Sequence, residues 1–162
     1  MLIEVPAVVV GRGPAPLTVA KMLAGQAIPC LLAGHEPAGN VAPVPLGDAA
    51  IATLKQHRVY DVLLPYVGRG PSPAMSSDDY EDVLKHHCVA DVNVTVYDAV
   101  AVVERRSDRA GVVEAVLTDG RSRWDLRARR LVDGDSLPVA LPEAIVAAAT
   151  LVNEMVFDLA HP

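Results

Sequence analysis

The chain has 162 residues, 51% of them hydrophobic and 21% charged, with 14 basic against 20 acidic side chains and a formal net charge of -6. At about 150 residues per domain this is one domain with enough apolar material for a core, which excludes disorder and collagen-like repetition. The acidic balance argues against a nucleic-acid partner, because neutralising phosphates needs a basic face.

No run of about 18 uncharged apolar residues occurs, and Met1-Leu2-Ile3-Glu4 has no basic flank before a long apolar stretch, so we expect a cytoplasmic protein without a membrane partner. The first readable unit is Val8-Val9-Val10, β-branched and apolar, stopping at Gly11-Arg12-Gly13-Pro14-Ala15-Pro16. Leu17, Ala20, Leu23 and Ala24 then recur at helical spacing, and Ile28 to Ala33 forms a second short apolar run. Strand, turn, helix and strand make a βαβ unit and predict a parallel sheet. From Gly34 to Gly47 the composition reads as a long loop, followed by a helix from Ala49 to Val62 and a second loop from Pro65 to Ala74. Ser76-Ser77-Asp78-Asp79 is a helix start, with hydroxyls to cap the first turn and carboxylates at the positive end of the dipole.

The period then changes to two. Val92, Val94 and Val96 alternate with polar residues, and turn signals at Ser107 to Gly111 and at Asp119-Gly120 separate Val100 to Val103, Val113 to Leu117 and Trp124 to Leu126. This is an antiparallel meander of three strands, with Leu131-Val132 as a further short strand returning to the first sheet. Pro142 to Leu159 reads as a helix whose apolar residues extend beyond one face, so it must be widely buried, in the core or against another subunit. Cys30 and Cys88 stand in no metal-type or redox-type pair and are expected to be reduced and buried.

The turn at Gly11 is the motif with chemistry. The unpaired N–H groups and dipole of a helix start favour an anion, and glycines permit the tight turn and close approach. Pro16 stands where a G-x-G-x-x-G pattern has its third glycine and brings no N–H. A missing charge-assisted hydrogen bond costs about 1.5–3 kcal/mol, or about tenfold to a hundredfold in affinity. The acidic residue that bonds a ribose at the end of the second strand is replaced by Gly34, with His35 and Glu36 following.

The run Val8 to Ala20 resembles the opening of FAD-dependent oxidoreductases, especially the aromatic-ring-hydroxylase type of flavoprotein monooxygenase. The likeness continues in order through the helices of Ala50 to Leu64 and Ser76 to His87, the strand at Asn93 to Val96, the meander, and Val132-Asp133-Gly134-Asp135. It implies a Rossmann-like α/β FAD-binding domain over about residues 5 to 136, with a parallel sheet, a meander crossover and a C-terminal helix. It further implies FAD, or only its ADP moiety, as cofactor, and an oxidoreductase or monooxygenase-like activity. Gly11, Arg12, Gly13, Pro14 and Ala15 would face the pyrophosphate, Glu36 the ribose and Asp135 the ribityl side. Family members continue into a substrate-binding sheet that this sequence lacks, and a partner chain could supply the wall around a flavin and its small-molecule substrate. A flavin-free scaffold, acting in binding, assembly or cofactor-independent chemistry, is the competing reading. In either case the last helix predicts a homo-oligomer or a protein partner.

The remaining polar clusters have plainer readings. His86, His87 and Cys88 are consecutive on a helix, about 100° apart, and suit solvation or capping better than a shared metal. His35-Glu36 is either loop polarity or an acid/base pair, and Arg105, Arg106, Asp108 and Arg109 form a solvated hairpin.

Overall fold

The computed structural model describes residues 1–68, 70–108 and 111–160. The valine run lies in β1 (Leu2–Arg12), which ends at the glycine turn and is followed by α1 (Pro14–Gly25) and β2 (Cys30–Glu36). β1 and β2 are parallel, with Ala7 opposite Cys30 and Val10 opposite Ala33. β2 pairs in parallel with β5 (Val94–Tyr97), completing the helix-crossover side of the sheet.

On the other side β1 pairs in parallel with β8 (Arg123–Asp133), from Leu2 opposite Asp125 to Val10 opposite Asp133. β7 (Val113–Thr118) and β6 (Ala101–Ser107) continue antiparallel from β8, giving a six-stranded sheet in the order β5-β2-β1-β8-β7-β6. The expected short strand at Leu131-Val132 is the far end of β8. No glycine or proline interrupts Trp124 to Asp133, so the chain runs straight from the meander into the parallel sheet. Arg109, placed in the hairpin by the sequence, lies outside the described residues.

The loop from Gly34 to Gly47 is more ordered than its composition suggests. Pro43–Pro45 forms β3, paired antiparallel with β4 (Ala74–Ser76). The expected helix at Ala49 to Val62 divides into α2 (Gly47–Gln56) and α3 (Tyr60–Leu63), because Arg58 takes a left-handed conformation at φ 58° between them. α4 (Ser77–Ala90) begins as expected, with Ser76 Oγ accepting the Asp79 N–H at 3.0 Å. α5 is Leu141–Ala160.

Strand alternation sends side chains to two cores. Ala7, Val9, Cys30 and Leu32 face a helical layer that includes Leu17, Leu23, Tyr80, Leu84, Ile145 and Val152. Val8, Val10, Leu31 and Ala33 face the opposite side, with Val100, Leu117 and Leu126 from the meander region. α5 packs by Leu141, Ala144, Ile145, Ala148, Val152 and Met155, while Val146 and Phe157 stay exposed at 39% and 66%. No helix among the described residues is long and apolar enough to cross a membrane.

Candidate functional site

At the carboxyl ends of β1, β2 and β8 the chain leaves an open cleft of about 810 Å³. This is where an open parallel sheet presents its crossover point and receives ligands. Four residues singled out from the sequence line it: Gly11, Arg12, Glu36 and Asp135. Gly13, Pro14 and Ala15 do not, and together with Pro16 they are buried.

The hydrogen-bond donors of the turn explain this division. The Arg12 N–H donates to Asp135 Oδ1 at 3.2 Å, and the Gly13 N–H to the Glu36 carbonyl at 2.9 Å. Pro14 and Pro16 have none to give. Ala15 keeps its N–H but has no solvent-exposed surface. Gly13 takes φ 87°, and a Cβ built there would lie 3.6 Å from Ala38 Cβ and 3.9 Å from Val139 Cγ1. Residues of the chain itself therefore cover the helix start.

Gly11 is required for a different reason. A Cβ on it would stand 2.8 Å from Gly134 Cα, so the turns after β1 and β8 pack backbone against backbone. Gly134 in turn sits on Pro16, where a Cβ would run into the proline ring and lie 2.7 Å from the Val10 carbonyl oxygen. Pro16 has thus become a wedge between the first helix and the turn of Gly134–Ser136. Gly34, at φ 62°, meets the Val100 carbonyl oxygen in the same way.

The cleft walls carry charge of mostly one sign. Glu36, Asp98, Asp119, Asp133 and Asp135 line it against Arg12 and Arg105. Arg105 Nη1 reaches Asp133 Oδ2 at 3.3 Å, and Arg12 Nε donates to the Pro37 carbonyl at 3.1 Å. Asp119 caps its own turn through N–H bonds from Ser122 and Arg121, which hold its carboxyl below the usual carboxylate range. An approaching diphosphate would meet an excess of carboxylates.

On the helix side of the same turn lies a polar network that the sequence did not announce. His35 is 5% exposed, with Nε2 2.9 Å from the Gly13 carbonyl and 3.4 Å from Glu81 Oε1. Glu81, buried at 3%, accepts the Ser77 hydroxyl at 2.9 Å and the Ala38 N–H at 3.2 Å. Beside it Thr18 Oγ1 donates to the Pro14 carbonyl at 2.7 Å and lies 2.8 Å from the Tyr80 hydroxyl. The i, i+4 spacing of Ser77 and Glu81 on one helix is local; their convergence on His35 depends on tertiary placement.

These groups offer no activated nucleophile. The Ser77 hydroxyl donates to a carboxylate, and burial pushes the Cys30 and Cys88 thiols up to about 12, so both stay protonated near neutrality. His86 and His87 are exposed near the end of α4 while Cys88 is buried, so the three do not share a site.

No known family profile matches the sequence, and no curated protein matches it. Solved structures do match in fold. The flavin-dependent monooxygenase PieE, determined with FAD and substrate, aligns over 80% of this chain and 30% of its own, at 18% identity and TM-score 0.63. p-Nitrophenol 4-monooxygenase PnpA from Pseudomonas putida DLL-E4 aligns over 82% and 40%, at 18% identity and TM-score 0.60. The anhydrotetracycline hydroxylase OxyS from Streptomyces rimosus aligns over 81% and 31%, at 15% identity and TM-score 0.60. The chain spans about a third of the length of these proteins, and over that span its α/β fold is similar to theirs.

Proposed function

We propose that this chain uses the monooxygenase fold without a bound flavin, as a domain that binds a small molecule lacking a diphosphate, or that assembles with another protein. The observation carrying this reading is that the cleft stops at Arg12 and does not reach the start of α1. A diphosphate at a helix start is held by free backbone N–H groups. Here those of Arg12 and Gly13 are bonded within the chain, two positions are proline, and Ala15 is buried. The residues present therefore do not fit the pyrophosphate of FAD, and no catalytic step is assigned to flavin.

A second reading is favoured by the position of the cleft. Gly11, Arg12, Glu36 and Asp135 all line it, which supports FAD or its ADP moiety as an occupant. One experiment separates the two. The purified protein is scanned for flavin absorbance near 450 nm and melted with and without excess FAD, ADP and adenosine. A colourless protein whose melting point is unmoved by FAD and ADP supports the flavin-free reading; a yellow protein, or one stabilised by FAD, overturns it. The assembly role would use α5, whose outer face shows Val146 and Phe157. Light scattering at high concentration tests it, and a clean monomer that also captures no partner overturns it.

A further inference from the structure

The cover over the first turn has a specific holder. We propose that the buried carboxylate of Glu81 is a latch that seats residues 37–39 across the start of α1, keeping the anion position of the fold shut. This rests on the flavin-free reading, since it explains how the turn is closed.

Glu81 comes from the first turns of α4, yet the groups it collects belong to other segments. Its Oε1 accepts the Ala38 N–H at 3.2 Å and lies 3.4 Å from His35 Nε2, and its Oε2 accepts the Ser77 hydroxyl at 2.9 Å. A carboxylate this buried persists only when donors surround it, so the arrangement resists loss of any one of them. The Ala38 bond is the one with reach. It draws the segment after β2 down onto Gly13, where Ala38 makes the nearest side-chain contact to the position of a Cβ.

Two further bonds fasten the ends of the strap. Arg12 Nε donates to the Pro37 carbonyl at 3.1 Å, and the Asp78 N–H donates to the Asn40 carbonyl at 3.0 Å. Between them Gly39 takes φ 78°, with nothing within 4 Å of the position of a Cβ. His35 completes the arrangement from beneath, tying the Gly13 carbonyl to the same carboxylate.

The test is amide hydrogen exchange read residue by residue in wild type, Glu81→Leu and Glu81→Ala, both of which remove the acceptor of the Ala38 N–H. In Glu81→Leu we expect the Ala38 and Ala15 amides to gain at least about tenfold in exchange rate relative to Val9, in the centre of β1. No gain relative to Val9 in the folded variant overturns the latch, because acceleration shared by Val9 marks a general loss of stability. Should Glu81→Leu not fold, Glu81→Ala carries the test with the same two outcomes. Binding of FAD by the wild type is a separate measurement, so failure of the flavin-free reading and failure of the latch are told apart.

Discussion

The two flanks of the turn after β1 share one stretch of backbone and treat their polar groups in opposite ways. On the helix flank His35, Ser77, Glu81, Thr18 and Tyr80 are buried and bonded to one another or to the turn. On the cleft flank Arg12, Glu36, Asp98 and Asp133 face an open space. The difference teaches where binding capacity survives: a donor already held inside the protein gives a ligand nothing, whereas a solvated group at a strand end can still meet one.

The strongest way to break the contrast is to force the turns apart. Gly134→Ala places a methyl group against Pro16 and the Val10 carbonyl, and we expect a loss of about 3–5 kcal/mol in urea unfolding. A loss below about 1 kcal/mol would mean that the two turns can separate freely. Next, Glu81→Ala strands the buried Ser77 hydroxyl and removes the acceptor of the half-buried Ala38 N–H, with an expected cost of about 1–3 kcal/mol.

A smaller effect sharpens the contrast by pH. The thiols of Cys30 and Cys88 have an ordinary value of 9.0 and are raised to about 12 in the folded protein, chiefly by burial. Above the lower value the unfolded chain releases protons that the folded chain retains, so stability must fall as pH rises. Between about pH 8 and about pH 9.5 we expect a loss of about 1 kcal/mol per thiol, reduced by Cys30→Ala; a flat profile would contradict the burial. The smallest effect belongs to the cleft. Arg105→Ala removes an ion pair whose side chains are 44% and 41% exposed and should change stability by no more than about 0.5 kcal/mol.

Much of the frame was legible because it follows local rules. Val8 to Val10, the helical spacing of Leu17 to Ala24, the Ser76 cap and the alternation in β7 each announce their element within a few residues. The pairing of Pro43–Pro45 with Ala74–Ser76 was hidden, since strands of three residues are too short to carry a period. The site was half legible. Gly11 and Pro16 were visible as a turn and a departure from it, but the neighbours explaining both, Gly134 and Ala38, arrive from distant parts of the chain. His35 read as loop polarity or a proton carrier because its partner Glu81 lies on α4, far along the chain.

The long β1–β8 ladder also bears on how the protein is made. Arg12 and Asp135 are separated by 123 positions, so during translation the central strand stays without its second neighbour until β8 has left the ribosome. Until then one edge of its valine-rich segment is open to other nascent chains. Yield in the cell should therefore respond to chaperone supply and growth temperature more steeply than equilibrium stability alone would suggest.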